Sequence, residues 1–196
     1  MKVLVNLMEQ MQILKQSLSD APIIWKGDYP YFIHPITDGV PRLEPNVLQA
    51  IVDLTEPLVD WDNIDIILGI EAMGLPLTAP LAMRTGVPMV IARKRSYGLD
   101  GEVQIDQQTG YSKGSIYLND IKAGERIAII DDVLSTGGTM RSVIEGVKQT
   151  KASIENIVIV VEKGDGMQNI KQDYPSIRFD SLVKLHMDGE RIIVTD

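Results

Sequence analysis

The chain contains no cysteine, which excludes disulfides and thiolate metal sites. It has only two histidines, His34 and His186, far apart in sequence, so a histidine-based transition-metal site is not expected either. Basic residues are in the minority: 19 Lys and Arg against 27 Asp and Glu leave a net charge of −8. Nucleic acids and anionic membranes need a basic face, so neither is an expected partner. A small anion needs only local donors and stays open. No apolar run approaches the roughly 18 residues of a membrane span. The opening MKVLVNLMEQMQILKQSL carries charges and amides throughout and no small-residue cleavage site, unlike a signal peptide. These absences give the expectation of a soluble cytoplasmic protein, its 196 residues, 44% of them hydrophobic, forming one domain.

What is present is strongly periodic. Leu4, Leu7, Met8, Met11, Leu14 and Leu18 recur at helical spacing and predict one apolar face of an opening helix. Ile23 to Ile33 alternates around Gly27 and Asp28, as a short hairpin does. Pro45 suits a helix first turn, with the helix running to about Val59. The runs Ile64–Ile70, Met89–Ala92, Arg126–Ile130 and Ile157–Val161 are short, β-branched and almost continuously apolar, as central strands buried on both faces are. Helical segments lie between them at Leu75–Arg84, stopped by Gly86, and at Thr139–Thr150. This alternation predicts an α/β fold, a mainly parallel sheet flanked by helices. Functional groups should gather where strands end and helices begin. Residues 94–124 break the pattern, being glycine-rich with few strongly apolar side chains, and are expected to form a flexible hairpin.

The chemistry is concentrated in Ile127–Met140, IAIIDDVLSTGGTM. An apolar strand reaches two adjacent carboxylates, Asp131 and Asp132, then enters the loop Ser135-Thr136-Gly137-Gly138-Thr139, which opens a helix. Glycines let the backbone approach a phosphate, hydroxyls add donors, and the helix N-terminus supplies free N–H groups. Two carboxylates ahead of such a cradle would repel a bare polyphosphate. They suit a sugar diol whose 5′-phosphate sits in the loop. The stretch lacks both the lysine of G-x-x-x-x-G-K-[ST] and the G-x-G-x-x-G pattern. A nucleophilic-aspartate phosphotransfer or receiver-type domain is a competing reading of the acids, although no motif for it accompanies them.

IAIIDDVLSTGGTM resembles the phosphoribosyl pyrophosphate (PRPP) motif of the type I phosphoribosyltransferases, and the resemblance spans nearly the whole chain. HPITDGVP, EAMG, RKRSYGLDGEV, TGYSKG and VEKGDG bring it close to the archaeal hypoxanthine/guanine branch, with xanthine and adenine enzymes as alternatives. The resemblance implies the type I fold, with residues 1–45 forming the opening helix and hood elements. Asp131 and Asp132 would hold the ribose hydroxyls, and Ser135, Thr136, Gly137, Gly138 and Thr139 the 5′-phosphate. Glu71, Ala72, Met73 and Gly74 would form the pyrophosphate loop, which often contains a cis non-proline peptide in this family. Arg93 and Lys94, with Arg95 beside them, would neutralise the pyrophosphate, and residues 97–113 would close over PRPP.

Lys163 in VEKGDG matches a lysine that faces the purine 6-oxo group in xanthine phosphoribosyltransferases. An ammonium donates to an oxo group but cannot accept from an amine, so hypoxanthine and guanine are the expected bases. Two departures also separate the chain from the adenine enzymes. Their hood glutamate is replaced by Gly110, and EAMG stands where they carry Asp-Ser-Arg-Gly. Mg2+, held through PRPP and waters, is the implied cofactor, and a homodimer the implied assembly. A PRPP-sensing regulator is the rival from another class, and would need a nucleic-acid surface that this acidic chain does not advertise.

Overall fold

The computed structural model describes residues 2–27, 29–108 and 113–195. Its centre is a six-stranded sheet in the order β10-β9-β8-β7-β3-β4. The strands are β3 (Ile66–Ile70), β4 (Met89–Ala92), β7 (Arg126–Leu134), β8 (Ser153–Lys163), β9 (Arg178–Asp188) and β10 (Arg191–Thr195). All neighbours pair in parallel except β10, which returns antiparallel on β9. The α/β expectation therefore holds.

From β3 the chain moves outward to β4, whereas from β7 it moves the other way to β8 and β9. The crevice between β3 and β7 is thus the topological switch point, where open α/β sheets place their ligands.

Side chains alternate between two cores. On β7, Ala128 and Ile130 face one and Ile127 and Ile129 the other; on β8 the same split separates Val158 and Val160 from Ile157 and Ile159. Each such fully buried valine or isoleucine side chain contributes about 1.5–3 kcal/mol. The first face is covered by helices α1 (Lys2–Ser19), α3 (Pro45–Thr55) and α4 (Leu75–Thr85). The second is covered by α5 (Gly138–Thr150), α6 (Gly166–Asp173) and the hairpin β5 (Val103–Gln108) and β6 (Lys113–Leu118). Gly69 explains how closely α4 lies on β3, because a Cβ there would meet Thr78 Oγ1 at 2.6 Å. Gly86, at φ +75°, ends α4 as its sequence position predicts.

Several boundaries differ from the sequence reading. α3 stops at Thr55 and gives way to a 3₁₀ turn at Glu56–Leu58. On α1, Leu14 and Leu18 are buried and Leu7 and Met11 pack against them, but Met8 is 69% exposed, being one residue, ~100°, around the helix from Leu7. Within the 94–124 segment β5 and β6 pair antiparallel, as a hairpin should, yet the base of this hairpin is not loose. Ile105, Ile116 and Leu118 are buried, and Gly146 of α5 leaves room for Ile105, whose Cδ1 would lie 2.0 Å from a Cβ there. Its tip, with Gly110, lies outside the described residues.

A smaller hairpin, β1 (Ile23–Lys26) and β2 (Tyr29–Phe32), leads into the short helix α2 (Pro35–Asp38). His34 caps that helix: its Nδ1 accepts from Ile36 N–H, which puts the proton on Nε2, 2.8 Å from Ser17 Oγ of α1. Burial lowers its pKa from 6.5 to about 4, against the opposing pull of Asp38. A base with a depressed folded pKa stabilises the protein above its unfolded pKa and loses that contribution as pH falls toward 4, on the order of 3 kcal/mol at ~1.4 kcal/mol per unit. Acidification from pH 7 to 4.5 should therefore lower the melting temperature of wild type more than that of His34→Asn, which keeps a capping acceptor. Parallel melting curves for the two would refute this.

Candidate active site

β7 runs on to Leu134, so Asp131 and Asp132 lie within the strand and not beyond its end. Carboxylates are poor strand residues, which is why sequence alone stops the strand early. Both are only 8% exposed. Burial, then the charge of Asp132, raises Asp131 well above the carboxylate range, while Lys94 pulls it the other way. Burial also raises Asp132 to about 6, with Asp38 of α2 adding repulsion and hydrogen bonds from Asp131 and the local backbone opposing it. Two buried acids side by side cannot both ionise cheaply without a ligand. They are poised to accept hydrogen bonds from one.

The acids floor a cleft of about 640 Å³ whose walls include Glu71, Ala72, Met73, Lys94 and Thr139. A pocket of about 170 Å³, lined by Ser135 to Thr139, adjoins it at Asp131 and Val133. The Glu71–Ala72 peptide is cis, as the resemblance implies. Glu71 ties the two strand-end loops together: its Oε2 accepts from Lys94 N–H at 2.9 Å and lies 3.3 Å from Arg93 Nε. Gly74 sits under the site, where a Cβ would meet Ile70 N at 2.7 Å and Asp131 Oδ1 at 3.1 Å.

A model of the phosphoribosyl transferase domain matches residues 42–186. The chain belongs to the phosphoribosyltransferase family. Among relatives of this phosphoribosyltransferase, the hypoxanthine/guanine phosphoribosyltransferases of Aciduliprofundum boonei and Methanohalophilus mahii are each 45% identical over 186 residues, covering 95% of this chain and 100% and 96% of theirs. Adenine phosphoribosyltransferases from Rhodothermus marinus and Saccharomyces cerevisiae share the fold, with TM-scores of 0.72 and 0.71 over 91% and 89% of this chain and 99% of each of theirs. At 22% identity that likeness speaks for architecture alone.

Most residues singled out in the sequence of this phosphoribosyltransferase converge on the cleft or its adjoining pocket; Gly74, Arg93, Arg95 and Lys163 line neither. Arg93 borders a separate groove with Met89, Val90 and Ile91, and its Nη2 donates to Tyr97 Oη. Lys163 ends β8, with its ammonium 5.3 Å and 5.8 Å from the ring centres of Phe32 and Tyr31.

Sequence reasoning missed Thr37 of α2 and Ser115 and Ile116 of β6, which also line the cleft. HPITDG and the alternation in KGSIYL were the available signals. Glu102 has a defined place too: it accepts from Ser96 Oγ, Tyr97 N, Gly98 N and Asn119 Nδ2. These donors hold its pKa down to about 2, Ser96 foremost. A carboxylate so occupied organises the 96–98 turn and has no proton to give near neutrality.

Proposed function

We propose that this chain transfers the phosphoribosyl group of PRPP to N9 of hypoxanthine or guanine, forming IMP or GMP and pyrophosphate in purine salvage. The observation that carries the reading is the junction at the β3–β7 crevice. There the Asp131–Asp132 pair, the Ser135–Thr139 loop and the Glu71–Met73 loop with Lys94 border connected pockets. The names of the 45%-identical relatives support the choice of base.

In this reading the C1′–pyrophosphate bond breaks as the N9–C1′ bond forms, the ribose passes through oxocarbenium character, and the proton that the purine loses passes to solvent. Asp131 and Asp132 accept from the 2′- and 3′-hydroxyls, and the Ser135–Thr139 loop anchors the 5′-phosphate. The Glu71–Gly74 loop and Lys94, with Arg93 at its flank, receive the departing pyrophosphate. Positioning two reactants this way supplies about 7–11 kcal/mol, and fixed donors stabilise the leaving charge without reorganising. Lys163 donates to the 6-oxo group and orients the base.

Among the described residues there is no cluster of three or more potential metal ligands. The two site carboxylates suit Mg2+ held through PRPP oxygens and waters, as this poorly dehydrating ion prefers. When bound it neutralises charge on the leaving pyrophosphate. PRPP and the nucleotide product are charged phosphate esters that do not cross membranes, which favours the cytoplasm as the place of the reaction.

Assembly is proposed as a homodimer covering the open edge of β4. There Tyr97 and Leu99 are 54% and 60% exposed beside a groove of about 360 Å³, and Asn119 Oδ1 is buried without a hydrogen-bond partner. A monomer in sedimentation equilibrium at micromolar concentration would remove this part. The functional reading itself is tested by calorimetric binding of the products. IMP and GMP should bind at least tenfold more tightly than AMP, and equal affinities would contradict the 6-oxopurine assignment.

A further inference from the structure

Two carbonyls of the Ser135–Thr139 loop are held from behind. A carbon added to Gly166 would lie 1.8 Å from Ser135 O, so that carbonyl rests directly on the first residue of α6. The next carbonyl, of Thr136, accepts from Arg141 Nη1 at 3.0 Å. Arg141 is itself fixed by Asp173 of α6, whose Oδ2 accepts from Nε at 2.9 Å and Nη2 at 2.6 Å. None of Gly166, Arg141 and Asp173 lines the pocket that the loop encloses.

In a planar trans peptide the C=O and the following N–H point in opposite directions, and neither cis peptide among the described residues falls in this loop. A Ser135 carbonyl turned back onto Gly166 sends the Thr136 N–H the other way. A Thr136 carbonyl turned onto Arg141 does the same for the Gly137 N–H. Gly137, at φ +80°, adopts the left-handed conformation that this succession of peptides requires.

We infer that Gly166 and Arg141 are positioning residues, which aim the Thr136 and Gly137 N–H groups at the 5′-phosphate without touching it. The inference rests on the phosphoribosyl reading of the loop. It also gives the VEKGDG turn a second task. Gly166 stands three residues after Lys163, so the turn that carries the proposed base contact is packed against the phosphate loop and the two sit as one body.

The test is calorimetric binding of ribose 5-phosphate and, separately, of magnesium pyrophosphate, to wild type, Gly166→Ala, Arg141→Met and Arg141→Lys. Ribose 5-phosphate should bind about tenfold more weakly to Gly166→Ala and Arg141→Met, the scale of one lost hydrogen bond to a charged group. Pyrophosphate should stay within about twofold of wild type, since its proposed loop follows β3, and Arg141→Lys should recover part of the loss. A merely structural Arg141–Asp173 ion pair would weaken both ligands alike or neither, and either result overturns the inference. If Gly166→Ala does not fold, the two Arg141 variants decide. Wild type failing to bind ribose 5-phosphate would sink the phosphoribosyl reading and this inference together. Wild type binding it with unaltered variants would sink the positioning role alone.

Discussion

Replacing Asp132 with asparagine should make the ligand-free protein more heat-stable at pH 8 while cutting kcat/KM for PRPP by one to two orders of magnitude. The two effects come from the same burial. Its pKa is raised from 3.8 to about 6, so the folded state holds the proton more tightly than the unfolded chain. That contribution is fully present below the unfolded pKa and is lost as pH rises through about 6. At ~1.4 kcal/mol per unit the loss is on the order of 3 kcal/mol, an upper figure because neighbours relax. The asparagine variant has no such loss, so its advantage in melting temperature should grow from pH 4 to pH 7 and then level off.

Activity moves the other way. A carboxylate accepting from a ribose hydroxyl contributes about 1.5–3 kcal/mol, or roughly 10- to 150-fold. Asp131→Asn should behave alike, since burial and its neighbour raise that group as well. Unchanged PRPP kinetics in both variants would end the ribose assignment. A less stable Asp132→Asn at pH 8 would contradict the burial argument.

Lys163→Ala should lower kcat/KM for guanine and hypoxanthine by about 10- to 100-fold, the range of a lost charge-assisted hydrogen bond, and leave any adenine use unchanged. Discrimination of this kind arises because a donor built to meet an oxo group is left unpaired, or opposed, by an amine. Lys163 sits at the end of β8, beside the β7 strand that carries the acids. The aromatic rings of Tyr31 and Phe32 lie close to its ammonium, and Phe32 is itself buried in the core. Comparing the three bases in one assay separates a specificity role from general damage. Uniform loss with all three would mean a structural role, and intact oxopurine use would mean the wrong residue.

The parallel sheet was legible because strands buried on both faces must be apolar almost without interruption. IDIILGI, RIAII and IVIVV admit little else. The C-terminal strands β9 and β10 escaped for the complementary reason. β9 alternates buried Phe179, Leu182, Val183 and Leu185 with exposed polar residues, and β10 is the sheet edge, so neither presents a continuous run.

The site divides in the same way. The acids and the Ser135–Thr139 loop form one contiguous string, so the roles proposed for them could be argued residue by residue. Thr37, Ser115 and Ile116 reach the same cleft from α2 and β6, and only the fold brings them there. The backing of the loop by Gly166 and Arg141 is likewise a matter of packing, since nothing in the spacing of a glycine and an arginine announces which carbonyl each one meets.

The most direct measurement is nucleotide formation from PRPP and Mg2+ with hypoxanthine, guanine, xanthine, adenine and orotate in parallel, each product resolved by chromatography. IMP and GMP should be the main products, with one pyrophosphate released for each nucleotide formed. AMP as the main product, or no nucleotide from any base despite bound PRPP, would contradict the proposed function.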